Sequence, residues 1–365
     1  MKVLYYCAGD KDDYIVLTLI ITLCLQKKIN LLGIICEDAF LSINQNLSMT
    51  NFWIYKQLKY NNVKIYKGIE RSQDLQINNS FPSEWSSSFV DQMVIDYGYN
   101  PNDSYVYKEL DELYNTINRE QYNSINILTC SNMTTLNYML NNIPSFDNKI
   151  FKITSMIGNY LVPGNIENEG LDVNSEYNSF LDPISFNSVL TRMYSKMTIV
   201  PLDATMFVPL TTEAISNLQN LGVIKGINNN LMFTTFINIL KTSISTVDVN
   251  IFMWNSVTFS IFTNLNIYST YIKPYVTISS YGKIDSSLEV TSSSPYLYTS
   301  INTVQFWNAI ADIFVIPNPI YVQPGKFPNN IKNPNNPNKM NKRISKDMCG
   351  SSYICYNYNK LLQYN

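Results

Sequence analysis

Two uninterrupted apolar runs, KVLYYC (2–7) and NLLGIIC (30–36), flank a third, YIVLTLIITLCL (14–25), that is apolar on nearly every face. Short continuous apolar runs predict strands covered on both sides, and the long run between them predicts a buried helix. That order, strand, helix, strand, is the unit of a parallel sheet. Further strands are expected at VKIY (63–66), INILTC (125–130), KIFKIT (149–154) and MTIVP (197–201), with helices at NFWIYKQL (51–58) and VYKELDELYNTI (106–117). In the last, Leu110, Leu113 and Ile117 recur at helical spacing. The pattern predicts an α/β fold with an open, mostly parallel, doubly wound sheet and additional helices. In such sheets ligands sit beyond the carboxyl ends of the strands.

The 14–25 run is too short for a bilayer, which takes about 20 apolar residues. It follows the acidic DKDD rather than a basic stretch, so neither a membrane span nor a signal peptide is expected. Residues 326–345, KFPNNIKNPNNPNKMNKRIS, are rich in Asn, Pro and Lys and carry little that could form a core. The domain is therefore placed at 1–316, with a linker and tail over 317–365.

Composition narrows the chemistry. A formal charge of −2 argues against broad electrostatic binding of nucleic acid. The chain has 0 histidines, which removes the commonest general base and the commonest nitrogen ligand. Catalysis would have to rest on carboxylates, Tyr, Lys, Cys or a hard metal bound by oxygen. Of the 6 cysteines, Cys7, Cys24, Cys36 and Cys130 lie in the body without any CxxC pair. They read as reduced small hydrophobes of a cytoplasmic protein, with a Cys349–Cys355 disulfide the minor alternative.

The first strand–helix junction, YYCAGDKDDY (5–14), sets Asp10, Asp12 and Asp13 within four positions at the edge where ligands bind. TCSNMTT after the 125–130 strand and MIGNYLVPGN after the 149–154 strand reach the same edge. The carboxylates also suit a plainer task, since acidic residues at a helix N-terminus stabilise its free N–H groups without any ligand. Asn178 and Asp182 likewise suit a cap and turn before the helix PISFNSVL.

Five stretches in order resemble the inosine/uridine-preferring nucleoside hydrolase family. They are AGDKDD with its apolar helix and NLLGII; NILTCSNMTTLNYML (126–140); MIGNYLVPGN…SEYNSFLDP (156–183); VPLDATMFVPLTTEAI (200–215); and MWNSVTFSIF (253–262). The resemblance implies cleavage of the N-glycosidic bond of ribonucleosides to ribose and free base. It also implies a calcium ion that binds the ribose hydroxyls and the attacking water, an aspartate as base, and frequent assembly into dimers or tetramers. Calcium is a hard cation that takes several oxygen ligands, with carboxylates supplying charge.

Carried over residue by residue, the family's Asp-x-Asp-Pro-Gly-x-Asp-Asp loop keeps its last two aspartates. Asp12 falls on a ribose-holding position and Asp13 on a calcium ligand. Its first two aspartates fall on Tyr6 and Ala8, the second being the family's base. Asp10 is the replacement candidate for that base, two positions further along. The other metal positions fall on the Cys130 backbone carbonyl and on Asn255, where the family has His-Asp and this chain has Trp254-Asn255. The ribose wall maps onto Asn165, Glu176 and Asn178, with an insertion inside IENEGLDVNS (166–175). A further family asparagine falls on Phe40, and the family's HGxxG has no counterpart in 83–99.

Two functions remain open on this reading. One is a divergent nucleoside hydrolase using calcium, with a ribonucleoside or ribose as its small-molecule partner. The other is an inactive homologue with a binding or structural role and no cofactor.

Overall fold

The apolar runs become strands β1 (Lys2–Cys7), β2 (Asn30–Cys36), β3 (Ile65–Lys67), β4 (Ile125–Cys130), β5 (Ile150–Met156) and β6 (Met197–Val200). The computed structural model describes residues 1–70, 83–166, 174–245, 251–287 and 293–315. These belong to a unit spanning Met1–Pro319. The tail expected over 317–365, with Cys349 and Cys355, lies outside the described residues.

Four later strands, β7 (Ser269–Ile272), β8 (Tyr275–Ile278), β9 (Ile284–Ser287) and β10 (Tyr296–Ile301), have no apolar signal comparable to the first six. The main sheet runs β3-β2-β1-β4-β5-β6-β10-β7, and β8 pairs with β9 in a separate hairpin. All neighbours in the main sheet are parallel except β7, which runs antiparallel to β10 at the edge. The chain winds outward from β1 through β2 to β3, then returns to the other side of β1 with β4. The strand order therefore reverses between β1 and β4, whose ends meet at the Cys7–Cys130 pair. That reversal is where an open α/β sheet forms its crevice.

The strand pleat divides the core. Val3, Tyr5 and Cys7 face one apolar cluster, and Leu4 and Tyr6 face the other. The helix Lys11–Leu25 is buried from Asp12 through Cys24. It packs between the sheet and the helices Leu231–Ser245 and Trp254–Phe262, which is why nearly every face of it is apolar. Each fully buried Leu or Ile there contributes roughly 1.5–3 kcal/mol relative to exposure.

One helical expectation is refined and another corrected. The helix expected at 51–58 is instead the end of Ile43–Asn51 followed by a π-helical turn, Phe52–Gln57. Widened bonds there run from Leu58 N–H to Trp53 O at 2.8 Å. The helix expected from 106 starts at Leu110, because Lys108 is used to extend the sheet edge. Its N–H donates to Ile65 O and its carbonyl accepts from Lys67 N–H. Leu110, Leu113 and Ile117 are buried, as their spacing predicts. Among the described residues no helix is long and apolar enough to cross a membrane.

Candidate functional site

β1 ends at Cys7 and the chain turns through Ala8, Gly9 and Asp10 into the Lys11–Leu25 helix. Gly9 has φ +85°, and a Cβ there would lie 2.9 Å from Asn46 Cγ, so glycine is required on both counts. Asn46 crosses the gap between the first two strands, donating to Cys7 O at 2.8 Å and Glu37 O at 3.0 Å.

Asp10 is the N-cap of that helix, its Oδ1 accepting from Asp13 N–H at 2.9 Å. Asp13 closes a reciprocal capping box: its Oδ2 accepts from Gly9 N–H at 2.8 Å and Asp10 N–H at 3.1 Å. The Tyr5 hydroxyl donates to Asp13 Oδ1. Asp12 points elsewhere and serves a different helix. Its Oδ2 accepts from Asn255 N–H at 2.6 Å and its Oδ1 from Ser256 Oγ at 3.3 Å. The Trp254–Phe262 helix has no side-chain cap of its own at Met253. Asn255 completes the junction, with Nδ2 at 3.4 Å from both Asp10 Oδ1 and Asp13 Oδ1.

Burial and then the charge of Asp10 push Asp12 and Asp13 well above the ordinary carboxyl range, and burial raises Asp10 as well. The structure thus brings Asp10, Asp12, Asp13 and Asn255 together, with Cys130 buried at the end of the adjacent β4. A calcium ion needs free carboxylate lone pairs among six to eight oxygens. An ionised carboxylate has about four acceptor positions. Asp13 receives Tyr5, Gly9, Asp10 and Asn255, so in this arrangement Asp13, the expected calcium ligand, does not fit the ion because it has no acceptor position left for it.

The two positions where the family has further aspartates lie on different surfaces. Tyr6 turns into the core cluster opposite the helix, donating to Met139 Sδ at 3.2 Å. Ala8 packs with Ala39, Tyr177 and Leu181 in a small apolar cluster at the strand ends. Phe40 is partly buried against the larger core.

The expected ribose wall is built locally. Glu176 caps the helix Tyr177–Leu181, taking Asn178 N–H on Oε1 at 2.8 Å and Ser179 N–H on Oε2 at 3.0 Å. Oε2 also accepts from Gly158 N–H at 2.8 Å. Burial pushes Glu176 up to about 7, against these hydrogen bonds, which favour the ionised form. Asn165 Oδ1 accepts from Tyr177 N–H at 2.8 Å, and Asn178 Nδ2 donates to Met156 O at 3.1 Å. Gly164 lets the two halves of the wall close, since a Cβ there would lie 2.2 Å from Ser175 O. Most of the insertion expected over 166–175 lies outside the described residues. Asp182 caps the Pro183–Met193 helix through Ser185 N–H and accepts from Thr134 Oγ1 at 2.6 Å.

Sequence reasoning missed Glu37. It is fully buried just past the end of β2, with Oε2 accepting from Thr135 Oγ1 at 2.5 Å and Oε1 without a partner among the described residues. Burial pushes it up to about 8. The signal available was an acidic pair, Glu37-Asp38, directly after an apolar strand. Among the described residues, Ser131 Oγ, Ser155 Oγ and Asn159 Oδ1, at or just past strand ends, and Ser175 Oγ, before the Tyr177–Leu181 helix, are also buried without a partner.

Residues 8–282 match the profile of the inosine-uridine preferring nucleoside hydrolases. Three solved structures share the fold. The inosine-uridine preferring nucleoside hydrolase from Bacillus anthracis is 18% identical with TM-score 0.65, covering 86% of this chain and 99% of its own. The purine-preferring ribonucleoside hydrolase from Gardnerella vaginalis is 16% identical with TM-score 0.60, covering 87% and 100%. A plant nucleoside hydrolase is 14% identical with TM-score 0.63, covering 87% and 99%. No curated protein matches the sequence.

Proposed function

The chain belongs to the inosine-uridine preferring nucleoside hydrolase family, and from that premise we propose that it holds a ribonucleoside or ribose without cleaving it. The observation that carries this reading is Ala8. At the family's base position it offers a methyl group, packed against Tyr177 and Leu181. A positioned base contributes typically 10²–10⁴-fold, and groups that act as a unit fail together. Binding is supported by what remains: Asp12, Asn165, Glu176 and Asn178 persist, and among the described residues Ser131 Oγ, Ser155 Oγ and Asn159 Oδ1 are buried without partners at or just past strand ends. Hydroxyl-rich ligands satisfy such groups, which are otherwise costly to bury.

A second reading keeps the hydrolase activity, with Asp10 as base and calcium as cofactor. It is favoured by one contact: Asp10 Oδ1 and Asp13 Oδ1 share the same Asn255 amide. On either reading the free buried thiols of Cys7, Cys24, Cys36 and Cys130 suit the reducing cytoplasm. A second copy of the chain is a natural partner, and nucleic acid is not.

Purified protein incubated with purine and pyrimidine ribonucleosides, with and without calcium, should release no free base by chromatography. Calorimetry should show ribose or nucleoside binding that chelator leaves unchanged. Base release abolished by Asp10→Asn would establish the second reading instead. Absence of any binding would overturn the ligand half of the first.

A further inference from the structure

We infer that Tyr5 and Asn255 fill, with O–H and N–H donors, the acceptor positions a divalent cation would need at Asp13. Two helix N-termini are then joined by hydrogen bonds where an ion would otherwise sit. This deepens the reading above, and rests on it only in taking the 8–13 loop as the floor of the cleft.

The geometry is specific. Asn255 is 2% exposed and Tyr5 0% exposed, so neither exchanges its partner for solvent. An amide carbonyl facing two carboxylates would be repelled, whereas its NH₂ carries two donors, one for each. Nδ2 lies at 3.4 Å from Asp10 Oδ1 and equally from Asp13 Oδ1. The backbone of the same residue donates to Asp12 Oδ2 at 2.6 Å. One residue therefore engages all three aspartates. The helices Lys11–Leu25 and Trp254–Phe262 both begin here, and their positive N-terminal ends supply part of the compensation a cation would bring. Tyr5 takes the remaining Asp13 lone pair from beneath, out of the sheet face. A carboxylate at 255 and a phenyl ring at 5 would free two acceptor positions and add one ligand.

The test is thermal melting of the full chain in calcium against chelator. Wild type should melt at the same temperature in both. Tyr5→Phe/Asn255→Asp should melt lower than wild type in chelator and rise by a few degrees, saturably, on adding calcium. A saturable calcium shift in wild type that Asp13→Asn removes would overturn the inference. So would a double variant indifferent to calcium, because Tyr5 and Asn255 would then not be what excludes the ion. If the double variant fails to fold, Asn255→Asp alone, which frees one Asp13 position and adds a carboxylate, should show a smaller saturable rise in calcium, and its indifference to calcium would overturn the inference. A calcium-responsive wild type that releases no base sinks this inference and leaves the Ala8 reading standing. Base release without any calcium response does the reverse.

Discussion

The two walls of the crevice both cap helices with carboxylates but draw their further donors from different distances along the chain. At Glu176 the donors are Asn178 and Ser179, two and three residues ahead, and Gly158, 18 behind. At the first loop, Asp13 adds to its local donors Gly9, Asp10 and Tyr5 a contact from Asn255, 242 positions away, and Asp12 is held by Asn255 and Ser256 across the chain. A local cap forms wherever its short segment turns into a helix. A cross-chain junction exists only once the whole sheet has brought the two helix starts together, so each aspartate there is committed to the global fold.

Asp13→Asn should therefore cost most. With its carbonyl oxygen kept on the Gly9 and Asp10 N–H groups, the new NH₂ opposes the Asn255 amide and displaces the Tyr5 donor, for a loss of about 3–5 kcal/mol in urea unfolding. Glu176→Ala removes a cap and leaves Gly158 N–H unpaired in a buried site, for about 2–3 kcal/mol. If Glu176→Ala proved the more damaging of the two, the contrast between local and long-range anchoring would collapse.

Glu37 sharpens the comparison, because its partner Thr135 also comes from far along the chain, 98 residues on. Its pKa rises from an ordinary 4.5 to about 8 in the folded chain. The folded state thus holds the proton more tightly. Its contribution is fully present below about pH 4.5 and is lost as pH rises through about 8. Glu37→Gln should flatten that decline and stabilise the protein by on the order of 1–2 kcal/mol at pH 9. Urea midpoints measured from pH 5 to pH 9 decide it; parallel curves for wild type and variant would rule it out. The smallest effect belongs to Asn165→Ala, which removes one acceptor from Tyr177 N–H. About 1 kcal/mol is expected, with Glu176 still capping its helix.

Legibility followed the same division. β1, β2, β4 and β5 were readable because strands buried on both faces must be continuously apolar. β7 and β10 were not: STYI is short and largely exposed at the sheet edge, and YLYTSI, between β6 and β7, buries only Leu297 and Ile301 among partly exposed polar positions. The start at Leu110 was hidden because the bridge from Lys108 to the β3 edge depends on a partner that periodicity does not reveal. At the site, Glu176 and Asp182 cap the helices that directly follow them, which residue identity suggests, whereas their bonds with Gly158 and Thr134 and that of Asn178 with Met156 left no trace in the sequence. Glu37 left only an acidic pair as a trace.

By itself the sequence determined the parallel sheet, the buried first helix and the placing of Asp10, Asp12 and Asp13 at the crevice edge, because burial and helix capping act on contiguous residues. Whether those carboxylates face a ligand, an ion or each other's helices was decided only in three dimensions. Each has about four acceptor positions, and tertiary packing chooses which donors, near or distant in the chain, arrive to fill them.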